Sequence, residues 1–217
     1  MNKGLWILFL LFSATANSQD STGVKNEIDL SLISPLNYAG PHIAVGYYRF
    51  IKPDLQIGLD IGYGGKETKN HDATEGFVGE NYNYFTVKPE VRFFLDQEST
   101  IQHFIGVEAF YMRLSDQYLD SHYFTVESQA YEFEKADYRR VKYGANFLYG
   151  FKLRINRYIA VIQENGIGLR MRSIDYHNVQ GETESNQKSV FAISNFKKEG
   201  NTFMFNFFFD LKLAITF

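Results

Sequence analysis

From Phe203 to Phe217 the chain alternates with a period of two. Phe203, Phe205, Phe207, Phe209, Leu211, Leu213, Ile215 and Phe217 fall on one side, and Met204, Asn206, Phe208, Asp210, Lys212, Ala214 and Thr216 on the other. Successive side chains of a strand point to opposite faces, so this segment reads as a strand with one apolar and one mostly polar face. A chain built from such segments has to close them into a sheet that offers two different environments.

The pattern recurs upstream. Tyr143, Ala145, Phe147, Tyr149, Phe151, Leu153 and Ile155 oppose Lys142, Gly144, Asn146, Leu148, Gly150, Lys152 and Arg154. Ile159, Val161, Ile167, Leu169 and Met171 oppose Glu164, Gly166, Gly168, Arg170 and Arg172. Phe85, Val87, Val91 and Phe93 oppose Thr86, Lys88, Glu90 and Arg92, and Leu55, Ile57, Leu59 and Ile61 oppose Gln56, Gly58, Asp60 and Gly62. Shorter runs around Ile105, Val45 and Ile28 behave alike, with Glu108, Gly46 and Asp29 on the polar side. The total is about eight strands, and the longer ones reach the ~9–11 residues that a tilted strand needs to cross a bilayer. The connections alternate too: 52–54, 96–100 and 156–157 are short, whereas 65–81, 115–137 and 173–202 are long.

Alternation does not say which face is inside, because a soluble calycin also alternates. Glycine does. Gly46, Gly58, Gly62, Gly64, Gly106, Gly144, Gly150, Gly166 and Gly168 all lie on the polar face. Glycine weakens a strand and gains nothing on a water-facing surface. In an eight-stranded barrel the interior is just wide enough for side chains, so small residues are needed beside long ones. The polar face is therefore expected inside and the apolar face outside, against lipid. The rings at strand ends suit interfacial girdles: Tyr63, Tyr82, Tyr84, Tyr111 and Phe203 toward the long loops, and Phe93, Phe151, Tyr158 and Phe217 toward the short turns. The mean hydropathy of −0.27 excludes a polytopic helical membrane protein, and the lack of cysteine excludes a disulfide scaffold.

The N-terminus reads as an export signal. Lys3 precedes an apolar run from Leu5 to Phe12, and Ser13, Ala14, Ala16 and Ser18 follow, so cleavage is expected after Ala16 or Ser18. No cysteine follows the run, which excludes a lipoprotein anchor. Residues 1–18 are expected to be a signal peptide and 19–217 one barrel domain.

With these features the chain resembles the small eight-stranded bacterial outer-membrane β-barrel proteins. Leu211, Leu213, Ile215 and Phe217 look like that family's C-terminal assembly signal, and Gly46–Phe50, a Pro53 turn and Leu55–Gly58 look like its second and third strands. The resemblance implies an all-β fold: a closed antiparallel eight-stranded transmembrane β-barrel with short periplasmic turns and long extracellular loops. It implies outer-membrane lipid, lipopolysaccharide and the barrel-assembly machinery as partners. It does not imply an activity.

The expected lumen carries Asp29, Asp60, Lys88, Glu90, Arg92, Glu108, Lys142, Lys152, Arg154, Glu164, Arg170, Arg172, Asp210 and Lys212. These charges are expected to pair across the barrel into a plug, the sharper alternative being a small pore. The five histidines show no paired ligand spacing, so neither metal nor cofactor is expected. His71-Asp72 and Ser121-His122 are the nearest approach to the catalytic pairs of lipid-modifying barrel enzymes, and no third partner can be assigned. The segment 115–137 is acidic and carries Tyr118, Tyr123, Phe124, Tyr131 and Phe133, which makes it the candidate surface for an extracellular protein or glycan. Within it, Phe124-Thr125-Val126 and Tyr131-Glu132-Phe133 read as strands extended above the membrane, and Val190–Ile193 is a short apolar run that could pack on them. A net charge of −3 excludes the broad basic footprint of a nucleic-acid binder. The expected role is non-enzymatic: envelope integrity or surface recognition through the long loops.

Overall fold

The computed structural model describes residues 25–37, 40–68, 79–96, 99–125, 127, 129–185 and 197–217. The export signal, His71-Asp72, Val126 and Val190–Ile193 lie outside the described residues. The strands are β1 (Asn26–Ser31), β2 (Ile43–Lys52), β3 (Leu55–Gly64), β4 (Asn83–Phe94), β5 (Ile101–Phe124), β6 (Ala130–Arg154), β7 (Ile159–Gln180), β8 (Thr183–Ser185) and β9 (Gly200–Thr216). All but β8 form a ring in which each strand pairs antiparallel with the next, and β1 closes onto β9. The short β8 adds to the upper end of β6, outside the ring.

The register fixes the shape. Cα partners lead from Phe207 through Ile167, Phe147, Val107, Val91, Ile57 and Arg49 to Asn26. Asn26 exchanges both backbone hydrogen bonds with Phe217, ten residues further along the chain than the start. A shear of ten over eight strands corresponds to a strand tilt of about 40° at the usual rise and spacing.

The burial pattern is that of an inverted globule. On the outside Phe147, Phe205 and Phe207 are 73%, 69% and 70% exposed, in a band that includes Ile57, Ile61, Val107, Ile105, Ile167 and Leu169. On the inside Arg92, Gln56, Glu27 and Glu164 are fully buried. Glycine makes the interior fit: a Cβ at Gly58 would run into the Tyr48 ring, and one at Gly166 into the Phe208 ring.

Two expectations about the rims are corrected. Tyr82 and Tyr84 are buried inside the barrel and do not belong to the outer girdle, whereas Tyr63, Tyr111, Tyr143 and Phe203 are exposed on it. The segment 115–137 is largely not a loop, and 173–180 continues β7. β5 and β6 remain paired from Ile101↔Leu153 to Phe124↔Ala130, and β7 runs on to Gln180. Ladder hydrogen bonds satisfy the backbone of these polar segments as well as water would, so the strands continue past the apolar band. One side of the barrel therefore stands tall, with strands of 24, 25 and 22 residues in β5, β6 and β7, against 6, 10, 10 and 12 in β1 to β4.

Candidate functional site

The lumen is layered from the short-turn rim upward. At that rim an open cavity of about 430 Å³ is lined by Lys25, Lys52, Lys152, Arg154 and Arg157. Arg154, expected in the central network, lies here instead and donates to the Ser99 carbonyl at 2.7 Å. Phe50, Phe94 and Phe104 pack in a tilted row that closes the cavity from above, with successive ring centroids 5.4 and 5.3 Å apart, and Ala160, Ile162 and Ala214 pack with them.

Above this apolar floor lies the charge network that the parity of the strands predicts. Arg92 is its hub. Its Nη1 donates to Asp29 at 3.0 Å and to Gln56 at 3.3 Å, its Nε donates to Glu90 at 2.6 Å, and its Nη2 lies 2.5 Å from Glu164. Its guanidinium stacks 3.7 Å from the centroid of the Tyr48 ring. Lys212 is a second hub, 2.8 Å from both Asp60 and Glu164, and it donates to the Tyr48 hydroxyl at 3.2 Å. Tyr48 in turn donates to Glu90 at 2.7 Å. Lys152 pairs with Glu27, which also accepts from Gln56 and Thr216. Glu27, Tyr48 and Gln56 are additions to the expected set. Their signal is in the sequence, since each sits on the polar-face parity of its strand. A middle layer follows, where Lys88 lies 3.5 Å from Glu108, Asn146 donates to Glu108 at 2.9 Å, and Ser31 donates to Asp210 at 2.7 Å.

Higher up, cations face one another. Lys142 stands directly across the β6–β7 ladder from Arg172, with Arg140 and Arg170 the next inward-facing residues along each strand. Arg170 donates to Asn206 at 3.2 Å and Arg172 to Thr202 at 3.3 Å. Among the described residues neither Lys142 nor Arg170 has a carboxylate partner. The inward-facing neighbours at this level, Met112 across from Lys142 and Met204 across from Arg170, carry no charge. Above the floor the lumen is thus polarised along its axis, with acidic residues in excess in the Arg92–Lys212 layer and cations gathered higher up.

Rings cap the cations. Tyr82, Tyr84, Tyr123, Phe133, Tyr138 and Tyr176 form one buried cluster, and Tyr118 and Tyr131 pack on it. Tyr123 stacks on Tyr176 at 4.8 Å, and Tyr138 meets Tyr176 edge-on at 5.3 Å. Phe124 is also buried. Four of the five aromatic residues expected to present a recognition surface therefore pack in or on this cluster, and Phe124 meets His122 edge-on instead. Strict alternation does not do this: the left-handed Asp120 and the register shift between Lys135 and Asp137 break the parity of both strands near the tip. Beside the cluster Lys197 donates to Ser121 at 2.9 Å, and His122 opposes Glu132 across the ladder. Burial, and secondarily the Lys197 charge, lowers the His122 pKa, and burial lowers that of Lys197. Ser121 and His122 are neighbours on one strand and point to opposite faces, so they do not form a nucleophile–base pair.

A family model described as "Protein of unknown function (DUF3575)" matches residues 5–198. No curated protein matches the chain. Among solved structures it is similar to a major outer membrane protein from Thermus thermophilus, with a TM-score of 0.46 and 12% identity over 90% of this chain and 100% of that one. It is similar to CarO of Acinetobacter baumannii, with a TM-score of 0.45 and 11% identity over 89% and 96% of the two chains. A more distant likeness is to the Escherichia coli outer membrane protease OmpT, with a TM-score of 0.31 and 10% identity over 89% and 93%.

Proposed function

We propose, for a chain that belongs to the DUF3575 family, that the mature protein is a bacterial outer-membrane barrel with a structural and surface role. One observation carries this reading: an apolar exterior surrounds a lumen filled by paired charge. In water such an exterior would aggregate, whereas in a bilayer the closed ring satisfies the backbone and the exterior meets lipid. The N-terminal export pattern and the terminal Leu211–Phe217 strand support delivery by the assembly machinery, with outer-membrane lipid and lipopolysaccharide as the surroundings.

The same filling argues against a pore. The Phe50, Phe94 and Phe104 floor and the Arg92 and Lys212 hubs occupy the section through which ions would pass. The paired β5–β6 hairpin, which rises above the band, is the part offered to an extracellular protein or glycan. The test is fractionation with refolding. The chain should partition with the outer membrane, migrate faster on gels before boiling than after, and give no stable channels in planar bilayers. A mature chain that stays monomeric in water without detergent overturns the membrane reading, and reproducible ion-passing pores overturn the plug.

A further inference from the structure

We propose that the upper lumen holds a binding site for the phosphate of an anionic lipid headgroup, reached sideways through a notch between β9 and the β1–β2 hairpin. The inference rests on the membrane reading above.

The first observation is the cation group itself. Lys142 and Arg172 form a direct cross-strand pair, and Arg140 and Arg170 flank it on the same inner side. Like charges placed opposite each other on a ladder are destabilising. Lys142 has no carboxylate within ion-pair distance among the described residues, and Arg170 keeps its Nε buried without an acceptor. The barrel has acids to spare, since Glu27, Asp29, Asp60, Glu90 and Glu164 share Arg92, Lys212 and Lys152 in the lower layer. None is placed to neutralise Lys142 or Arg170. Two inward-facing cations, Lys142 and Arg170, with no carboxylate beside them among the described residues mark a place where something else supplies the missing charge. Guanidinium forks beside an ammonium match a phosphate.

The second observation is the seam. β1 pairs with β9 from Glu27↔Thr216 to Ser31↔Lys212, and the last rung is the Leu32 N–H to the Leu211 carbonyl at 2.8 Å. On its other side β9 remains paired with β7 up to Ile174↔Gly200. The odd-numbered residues of β9 direct their backbone groups toward β1, as Leu211 and Phe217 do. Above Leu211 that edge, from Phe203 to Phe209, has no strand beside it among the described residues. Unpaired backbone cannot face hydrocarbon without penalty, so a polar group is favoured there. Arg170 and Arg172 lie one strand away and bond to Asn206 and Thr202 of β9 itself.

The third observation is the level. Tyr143 follows Lys142 in sequence and lies across the ladder from Tyr111, and both rings are exposed on the outside. Interfacial tyrosines sit among lipid headgroups. The cations and the upper end of the notch, beside Phe203, therefore open at the height where phosphates of the outer leaflet reside.

The experiment uses the mature chain folded in dodecyl maltoside and titration calorimetry with dihexanoyl phosphatidic acid. Dihexanoyl phosphatidylcholine and inorganic phosphate are titrated separately. Phosphatidic acid should bind saturably and at least tenfold more tightly than either control. The double variant Lys142→Gln/Arg170→Gln should lose that affinity at least tenfold while keeping its heat-modifiable migration, and its urea midpoint should rise, because a repulsion is removed. A purely structural role for the two cations predicts a lower midpoint. No saturable phosphatidic acid binding, or binding that the double variant keeps, overturns the site. Inorganic phosphate binding as tightly as the lipid, with the same loss in the variant, overturns the lateral lipid route in favour of free phosphate from water. Loss of heat-modifiable migration in the unaltered chain would instead overturn the membrane reading, separately from the site.

Discussion

Arg92 lies 3.7 Å from the centroid of the Tyr48 ring, inside a barrel in which both side chains are wholly buried. The pair ties β2 and β4, which are not neighbours in the sheet, across the lumen, and Glu90, Glu164 and Asp29 gather around the rim of the guanidinium.

Replacing Arg92 by Gln leaves those carboxylates facing one another with one cation fewer. Breaking a buried pair on one side costs about 3–5 kcal/mol. Arg92→Gln is therefore expected to unfold at markedly lower urea in lipid vesicles, read from the loss of the fast-migrating band. A variant as stable as the parent would show that the network contributes nothing to the fold.

Gly58 leaves the space that the Tyr48 ring occupies, and Tyr48 cannot retreat while it holds Arg92, Lys212 and Glu90. Gly58→Ala should cost about 1–3 kcal/mol by overpacking. The second-site change Tyr48→Leu should narrow the difference between glycine and alanine at position 58, which separates a steric cause from a change in strand propensity. The double-mutant cycle is the measurement.

Val107 sits in the middle of the exterior row between Ile101 and Tyr111, cross-strand from Val91 and Phe147. On the lipid face near the midplane an arginine costs about 2–4 kcal/mol, whereas in water it would cost little. Val107→Arg should reduce the yield of folded chain in vesicles and shift the urea midpoint accordingly. An unchanged midpoint would place this surface in contact with water.

His122 titrates outside the apolar band. Its folded pKa lies below the ordinary histidine value, first through burial and then through the Lys197 charge, so the unfolded chain binds the proton more readily. Its stabilising share is complete above the unfolded value and is lost as the pH falls through it toward the lower folded value. As the pH drops below the range where a free histidine titrates, the contact between the hairpin and the Lys197 segment should weaken. Proton NMR of the His122 ring should give a midpoint below that of a free histidine, and His122→Gln should remove the acid-side loss in hydrogen-exchange protection of β5 above Ser115.

Parity makes much of this structure legible in the sequence. That Arg92, Lys212, Glu164 and Gly166 face one way and Val91, Leu211, Ile167 and Phe207 the other follows from residue spacing alone, since a strand has no third direction. The partners do not follow. Arg92 meets Asp29 and Lys212 meets Asp60 across separations of 63 and 152 residues. These meetings depend on the shear, and shear is a property of the closed ring. Reading 115–137 as a loop fails because polarity signals departure from lipid, not the end of a strand. A ring near a strand end suits a girdle, which is why Tyr82 and Tyr84 read as outer residues, yet Tyr84 has the inward parity of Thr86.

The fold class, the two faces of each strand and the inversion of polar and apolar layers are already present in the order of residues, because they are local consequences of a period of two and of where glycine falls. The axial arrangement exists only in the folded ring: which charges neutralise each other in the lower layer, that Lys142 and Arg170 have no carboxylate beside them among the described residues, and that β1 stops short of the top of β9. Those features arise where eight strands of unequal length meet at one register, and charge pairing depends on distances that exist only after the barrel closes.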